Sequence, residues 1–241
     1  MTSKINVDWF AALQRLLEKY GARKHPLQAL NTYQRVVMVI LSARDTDTKI
    51  NALAPALFEK YPTLHTLASA SPEDLYPFIS KITSFVKKAR WLVEIAKRIG
   101  EDEHIPQTLE GLTSLPGIGR KSANVIMGES GGVMEGVVVD LHVLRVVPRL
   151  GIVRTANPEK IEEQLMKKFP REMWRALGIS LTFLGREVCR PTDPECPHCP
   201  VNAPCRYYSS QRKRVPARTG STASLSGSKR TSRRMPSRAK R

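Results

Sequence analysis

The stretch Leu115-Pro116-Gly117-Ile118-Gly119-Arg120-Lys121 lies between two segments whose apolar residues recur with helical spacing. It predicts a helix, a tight hairpin and a second helix. Two glycines one residue apart permit positive φ and let the backbone approach a ligand closely. The N–H groups at the start of the second helix can then bind an anion such as a phosphate. On spacing alone, an αα-hairpin whose glycines only make the turn is an equally good interpretation.

Helical periodicity continues along most of the chain. Asp8 is expected to cap a helix whose Phe10, Leu13, Leu17 and Tyr20 share one face. Residues 36–41 are apolar on every side, which predicts a helix at the centre of a core. The β-branched run 137–139 is too short for a strand and has no hairpin partner. The predicted fold class is all-α. Further helices are predicted from Ser71-Pro72-Glu73 and Asn157-Pro158-Glu159, and over residues 50–58, 86–99 and 174–184.

The formal net charge of +17 is unevenly distributed. Residues 209–241 contain eleven Lys or Arg and no Asp or Glu, which leaves +6 (17 − 11) for residues 1–208. This segment is rich in Ser, Pro and Gly, so a disordered basic tail is expected. Such a tail binds polyanions by releasing counterions, and nucleic acid is the favoured partner. An anionic membrane surface is the alternative.

Membrane insertion and secretion are not predicted. The sequence has no run of about 18 apolar residues, and residues 1–9 lack an apolar signal core. An intracellular protein without a secretion signal is therefore expected.

Four cysteines lie close together near the end of the helical part of the chain. Cys189, Cys196, Cys199 and Cys205 are separated by six, two and five residues in a proline-rich loop. Four thiolates suit either a tetrahedral zinc ion or an iron–sulfur cluster, and the spacing does not choose between them. A loop without metal is the remaining alternative. His198 is expected to be a bystander.

The hairpin, the segment Val139-Asp140-Leu141-His142 and the cysteine loop, in this order, resemble the endonuclease III family of helix-hairpin-helix DNA glycosylases. Residues 41–47, Leu-Ser-Ala-Arg-Asp-Thr-Asp, resemble the family's early DNA-facing loop. The resemblance covers roughly residues 5–208. It implies a six-helix barrel domain over residues 27–134, which includes the helix-hairpin-helix. Residues 1–26 and 135–208 would form a second domain, and the DNA groove would lie between the two. The second domain would carry a [4Fe–4S] cluster on the four cysteines.

The resemblance also implies a bifunctional DNA glycosylase and AP lyase of base excision repair. Lys121 would attack the sugar and form a Schiff base, and β-elimination would then cut the strand. Asp140 would stabilise the positive charge that develops on the sugar. Without the resemblance, Lys121 would be interpreted as a surface lysine and Asp140 as a helix cap. The residues implied to contact DNA are Arg44, Ile82, Ser84, Gly117, Ile118, Gly119, Arg120 and His142.

The implied partner is double-stranded DNA with a damaged base, an oxidised pyrimidine being favoured, or with an abasic site. A monomer located in a bacterial-type cytoplasm and associated with the nucleoid is expected. The alternative is a non-catalytic or architectural lesion-binding protein with the same fold.

Two features depart from the family pattern. Arg44 stands where glutamine is commoner, and Ile82-Thr83-Ser84-Phe85 lacks the usual glycine and leucine. The lesion and opposite-base preferences are therefore left open. Pro148 is expected to break or kink the helix that begins at Leu141.

Overall fold

The computed structural model describes residues 7–214, with side chains through residue 212, and this part of the chain is all helical, as predicted. Short 3₁₀ helices occur at Glu73–Leu75, Asp102–His104, Arg171–Met173 and Cys196–His198. The α-helices are α1 (Trp9–Tyr20), α2 (Thr32–Ser42), α3 (Asp47–Lys60), α4 (Leu64–Ala68), α5 (Tyr76–Ile79), α6 (Phe85–Ile99), α7 (Leu109–Thr113), α8 (Arg120–Glu129), α9 (Leu141–Leu150), α10 (Pro158–Lys168), α11 (Trp174–Glu187) and α12 (Arg206–Arg214).

Most helices begin where the sequence predicts. Asp8 caps α1 by accepting a hydrogen bond from the N–H of Ala11, and Asn157 caps α10. Residues 36–41 of α2 are all buried, as their uniformly apolar character predicts. The segment after Ser71 differs from expectation, because it forms the 3₁₀ turn Glu73–Leu75 and then the single-turn helix α5.

The buried apolar side chains form two separate clusters. Core 1 is built by α2 to α8 and runs in sequence from Leu27 to Met127. Core 2 combines α1 with α9 to α12. Each core buries apolar area that no single helix of the set could bury alone. The boundaries at residues 27 and 134 remain a prediction of domain organisation, and the two cores support it.

The segment that joins the two cores forms no helix and no strand within the described residues. Val137 is buried in core 2, whereas Val138 packs against core 1. The segment therefore runs between the cores and delivers Asp140, at the start of α9, to the space between them.

Pro148 does not break α9, so one of its two predicted effects is wrong, and a kink stays a prediction. The helix continues through it to Leu150, where Gly151 ends it with φ 96°. A proline removes one backbone donor. The missing bond would have reached the carbonyl of Leu144, one turn earlier in the helix.

The predicted start of the disordered tail, at residue 209, is too early in the chain. Residues 209–214 belong to α12, where the N–H of Ser209 donates to the carbonyl of Cys205. Tyr207 packs against core 2, and its ring lies 4.7 Å from the Arg149 guanidinium. This packing anchors the helix despite its basic composition. The remaining tail, 215–241, lies outside the described residues. Within them, no helix is long and apolar enough to cross a membrane.

Candidate active site

A cavity of about 1090 Å³ lies between the two cores. Core 1 contributes the loop after α2 and the start of α8, and core 2 contributes the start of α9 and one face of α11. Lys121 and Asp140, the two predicted catalytic residues, both line this space. The fold thus brings together two residues whose proximity the sequence did not show.

Lys121 is exposed in the first turn of α8. The preceding hairpin is tight because Gly117 has φ 81°, and a Cβ there would lie 2.5 Å from the ring of Trp91. Gly119 is the N-cap residue of α8, and no side chain of the described chain caps this helix. The first-turn N–H groups are therefore available to an anion, at the favourable end of the helix dipole. The Ile118 side chain is buried in core 1, so only its backbone can serve the predicted DNA contact.

Asp140 is fixed by three hydrogen bonds. Its Oδ1 accepts from the N–H groups of His142 and Val143, both at 2.8 Å, which caps α9. Its Oδ2 accepts from the hydroxyl of Thr182 in α11 at 3.0 Å. Thr182 was not identified from the sequence, because a threonine on a long apolar helix gives no local signal of such a role.

His142 is the second residue of α9, directly after Leu141, and lines the same cavity as Asp140. Its Nδ1 lies 3.2 Å from the Arg145 guanidinium, which also donates to the carbonyls of Cys189 and Gly185. Burial is the main cause that lowers the pKa of His142, and Asp140 opposes it. His142 is therefore a neutral hydrogen-bonding group near the start of α9.

Two loops beside the cavity have unusual backbone conformations. Arg44 has φ 64° and Ser84 has φ 57°, and both side chains are exposed. Such values are uncommon for residues other than glycine. Ile82 is 3% exposed and packs in core 1, so only its backbone is available for the predicted DNA contact. Arg44 lines the cavity, whereas Ser84 is not among its lining residues.

A buried ion pair lies beneath these two loops. The Lys88 ammonium donates to the carbonyls of Leu41 and Ala43 at 2.8 and 2.7 Å and to Asp45 Oδ2 at 3.1 Å. The side chains of Lys88 and Asp45 are only 3% and 4% exposed. Burial alone would raise the pKa of Asp45, but hydrogen bonds from Lys88, Lys49 and the N–H of Thr83 outweigh it, so this pKa is lowered.

Arg175 and Arg186, which line the cavity, and Arg120, which adjoins Lys121 in sequence, each pair with a carboxylate on another helix. Arg175 meets Glu129 at 2.8 Å, and Arg186 meets Asp47, so both pairs link α11 to helices of core 1. Arg120 donates from Nε to Glu162 at 3.0 Å and from NH2 to the carbonyl of Glu135 at 2.9 Å. Arg120, predicted to contact DNA, is therefore already engaged within the protein. These three pairings are called the cleft ion pairs below.

The four cysteines lie around one small cavity of about 20 Å³, away from Lys121, and all are free thiols. Arg149 adjoins them: its NH1 lies 3.6 Å from the Cys189 sulfur, and its carbonyl lies 3.6 Å from the Cys205 sulfur. Burial raises the pKa of the Cys199 thiol to about 11. His198 is exposed and does not line the cavity. Across residues 7–214, no group of three or more His, Cys, Asp or Glu side chains could hold a single metal ion as it stands.

Comparison with known proteins places these features in one family. Residues 37–171 match the family model described as HhH-GPD superfamily base excision DNA repair protein. Endonuclease III of Thermotoga maritima is 35% identical over 203 residues, which is 83% of this chain and 94% of that protein.

Two solved structures with similar folds contain DNA. One is a non-covalent complex of endonuclease III with DNA, and the other is a trapped covalent endonuclease III–DNA intermediate. Each aligns with a TM-score of 0.77 at 32% identity and covers 85% of this chain and 97% of its own.

Proposed function

This chain belongs to the HhH-GPD superfamily of base excision DNA repair proteins and is a DNA glycosylase, and from that premise we propose a bifunctional glycosylase and AP lyase. Its proposed substrate is double-stranded DNA that carries an oxidised pyrimidine or an abasic site. The observation that supports this most directly is the position of Lys121 and Asp140 in one cavity between the two cores.

Lys121 is the proposed nucleophile. Its neutral amine attacks C1′ of the damaged nucleotide, and the C1′–N bond breaks with the electron pair leaving on the base. Loss of the amine proton and opening of the sugar ring give a Schiff base between Lys121 and C1′. The Schiff base accepts the electron pair when C2′ loses a proton, and the 3′ C–O bond then breaks with the phosphate as leaving group. The trapped covalent DNA intermediate of an endonuclease III supports this route.

Asp140 is the proposed electrostatic partner of this reaction. Three hydrogen-bond donors hold its carboxylate in place before substrate arrives. A fixed negative charge needs no reorganisation when positive charge develops on the sugar, which is the condition for effective transition-state stabilisation. A neighbouring carboxylate oxygen can also accept a proton during the transfer steps.

DNA binding is proposed to use the groove between a barrel domain, 27–134, and a second domain made of 1–26 and 135–208. The first-turn N–H groups of α8 would bind one phosphate. Extrusion of the base leaves a gap in the duplex, and the loops that carry Arg44 and Ser84 are the proposed occupants. His142 is proposed to contact DNA at the start of α9, beside Asp140.

A [4Fe–4S] cluster is the proposed cofactor, held by Cys189, Cys196, Cys199 and Cys205. A single zinc ion needs four sulfurs that converge to about 2.3 Å from one point, whereas an iron–sulfur cluster takes sulfurs spread around a larger group. Four cysteines around one cavity fit the second arrangement. When bound, the cluster would order the loop and position α12 and α9, and it would take no part in the base chemistry.

The proposed protein acts as a monomer, because one chain supplies every residue assigned here to the cavity. Its DNA substrate supports a location inside the cell at the nucleoid.

Borohydride trapping tests the lyase mechanism directly. Full-length protein incubated with an abasic duplex should give a covalent adduct in borohydride, and Lys121→Ala should give none. Lys168→Ala, which removes an exposed lysine from α10, is the matched control and should trap like wild type. A wild-type protein that forms no adduct would contradict the proposal.

The alternative, a lesion-binding protein without catalysis, draws support from the loop of residues 82–85, which departs from the family pattern and in which Ser84 is polar and Ile82 is buried. Selective binding of damaged duplex without base release or strand cutting would favour it.

A further inference from the structure

His25 lines the cavity with Lys121 and Asp140 but has no part in the mechanism above. It lies in the connection between α1 and α2. Its backbone N–H donates to Glu129 Oε2 at 3.3 Å. The next residues are fixed by Asn51, which donates to the carbonyl of Pro26 and accepts from the N–H of Gln28. The imidazole is therefore attached to a rigid turn.

One ring nitrogen of His25 is already occupied. Nδ1 accepts a hydrogen bond from the backbone N–H of Leu27 at 3.1 Å. A nitrogen that accepts in this way carries no proton, so the neutral ring has its proton on Nε2. The turn thus selects the tautomer in which Nε2 is a donor.

The Nε2–H group has no partner among the described residues, yet it is not sealed from solvent. The only buried polar side-chain atom without a hydrogen bond in that part of the chain is Ser180 Oγ. An unpaired Nε2 must therefore be accessible, and His25 is one of the residues that line the cavity. The ring thus has a donor without an internal acceptor in the described residues.

The charge state of His25 matches this role. Burial is the first cause that lowers its pKa to about 4, and the positive charges of Arg35 and Lys121 add to it, while Asp47 and Glu129 oppose it. At neutral pH the ring is uncharged. It neither repels the Lys121 amine nor attracts a phosphate as a cation would.

We propose that His25 is a specificity-determining residue, which donates its Nε2–H to a carbonyl oxygen on the edge of the extruded base. This inference rests on the proposed function. A neutral donor favours a ring with a carbonyl at that edge, such as a thymine that is oxidised or reduced at C5 and C6. It disfavours a ring that presents an amino group there, because two donors then face each other without an acceptor between them.

The test compares three His25 variants of the full-length protein. His25→Asn keeps an acceptor near the position of Nδ1, so the bond from Leu27 can persist while the donor is lost. His25→Gln places an amide donor near the position of Nε2. His25→Phe keeps the ring and loses both groups. His104→Asn, a change at an exposed histidine, is the control.

Each variant is assayed on one duplex containing dihydrothymine, a thymine reduced at C5 and C6 that keeps both carbonyl oxygens, and on the same duplex with an abasic site, which has no base to recognise. For His25→Asn and His25→Phe, kcat/KM for base release should fall by about 100-fold or more, because a polar site discriminates strongly against the absence of a hydrogen bond. Cutting at the abasic site should fall far less, by a few-fold. His25→Gln should recover part of the loss on dihydrothymine.

An equal loss on both substrates would show that His25 only supports the cavity wall, and no loss on dihydrothymine would show that it makes no base contact. Either result overturns the inference. Equilibrium binding of DNA by Lys121→Ala protein tests base recognition by His25 separately from the lyase mechanism. There, His25→Asn should reduce the preference for the dihydrothymine duplex over undamaged duplex by at least about tenfold. Failure of wild type to form a borohydride adduct would contradict the proposed lyase chemistry of Lys121 but not base recognition by His25. An unchanged binding preference in His25→Asn would contradict base recognition by His25 but not the lyase chemistry.

Discussion

The backbone N–H of Thr83 donates to Asp45 Oδ2 at 2.9 Å, and this bond joins the two loops beside the active-site cavity. The same oxygen accepts from the buried Lys88 ammonium. Arg44 and Ser84, which are exposed and have positive φ, each adjoin one end of this bond in sequence. Their separation is therefore set by a buried carboxylate and not by either loop alone.

Asp45→Ala should destabilise the protein by about 3–5 kcal/mol, because it leaves the Lys88 ammonium buried without a counter-charge. Urea unfolding measures the change. Asp45→Ala combined with Lys88→Met should recover much of the stability. Glu103→Gln, at an exposed carboxylate, is the control and should change the free energy of unfolding little. If Asp45→Ala were as stable as wild type, the Asp45–Lys88 ion pair would not stabilise the loops.

Two substitutions should separate the role of Asp140 as the cap of α9 from the role of its negative charge in base release. Asp140→Asn keeps an oxygen that can accept from the first turn of α9, whereas Asp140→Ala loses the cap at about 0.5–2 kcal/mol. Both should lose base release by at least about 100-fold. Thermal unfolding and single-turnover base release measure the two effects. Asp8→Ala removes the cap of α1 and should lower stability without lowering activity. Full activity in Asp140→Asn would argue against a role for the charge.

The cysteine loop should contain iron. Full-length protein purified without oxygen should be brown and contain iron and sulfide in equal amounts. Cys199→Ser should lose iron and weaken DNA binding, because the loop that connects α11 to α12 then lacks its central group. Metal analysis and binding titrations measure both. Stoichiometric zinc without iron would contradict the cluster.

Deletion of residues 215–241 should weaken DNA binding at low salt and reduce its salt dependence. This segment has eight Lys or Arg and no Asp or Glu. The slope of log K against log salt should become smaller by about 0.9 for each phosphate that the tail neutralises in the full-length protein. Replacement of the eight basic residues by glutamine is the matched control for chain length and should reproduce the deletion. An unchanged slope would leave the tail without a role in DNA binding.

Local sequence signals were sufficient for the elements of the site that depend on neighbouring residues. Gly117 and Gly119 predicted the hairpin because a tight turn has few solutions, and Asp140 was interpretable as a helix cap from its own position. The helices followed from apolar spacing. The two catalytic roles, however, rested on the family resemblance and remain proposals.

Side chains that act across the fold were not predicted, because their partners are distant in sequence. Thr182 meets Asp140 over 42 residues, and His25 reaches the cavity from outside any periodic segment. Lys88 did give a signal, since it lies one turn before Leu92 on the buried face of α6. The burial of the Ile82 side chain was not predicted, because loop position alone does not show which side chains are buried.

The cleft ion pairs have a consequence for how the enzyme searches DNA. Arg120, Arg175 and Arg186 each already have a carboxylate partner, so an approaching phosphate must compete with Glu162, Glu129 or Asp47 for them. We therefore expect undamaged duplex to displace fewer counterions than the positive charge of the cleft would suggest, and to be released sooner. Short residence on intact sequence would allow more sites to be sampled in a given time. The carboxylates that link the two cores would thereby also shorten each unproductive encounter.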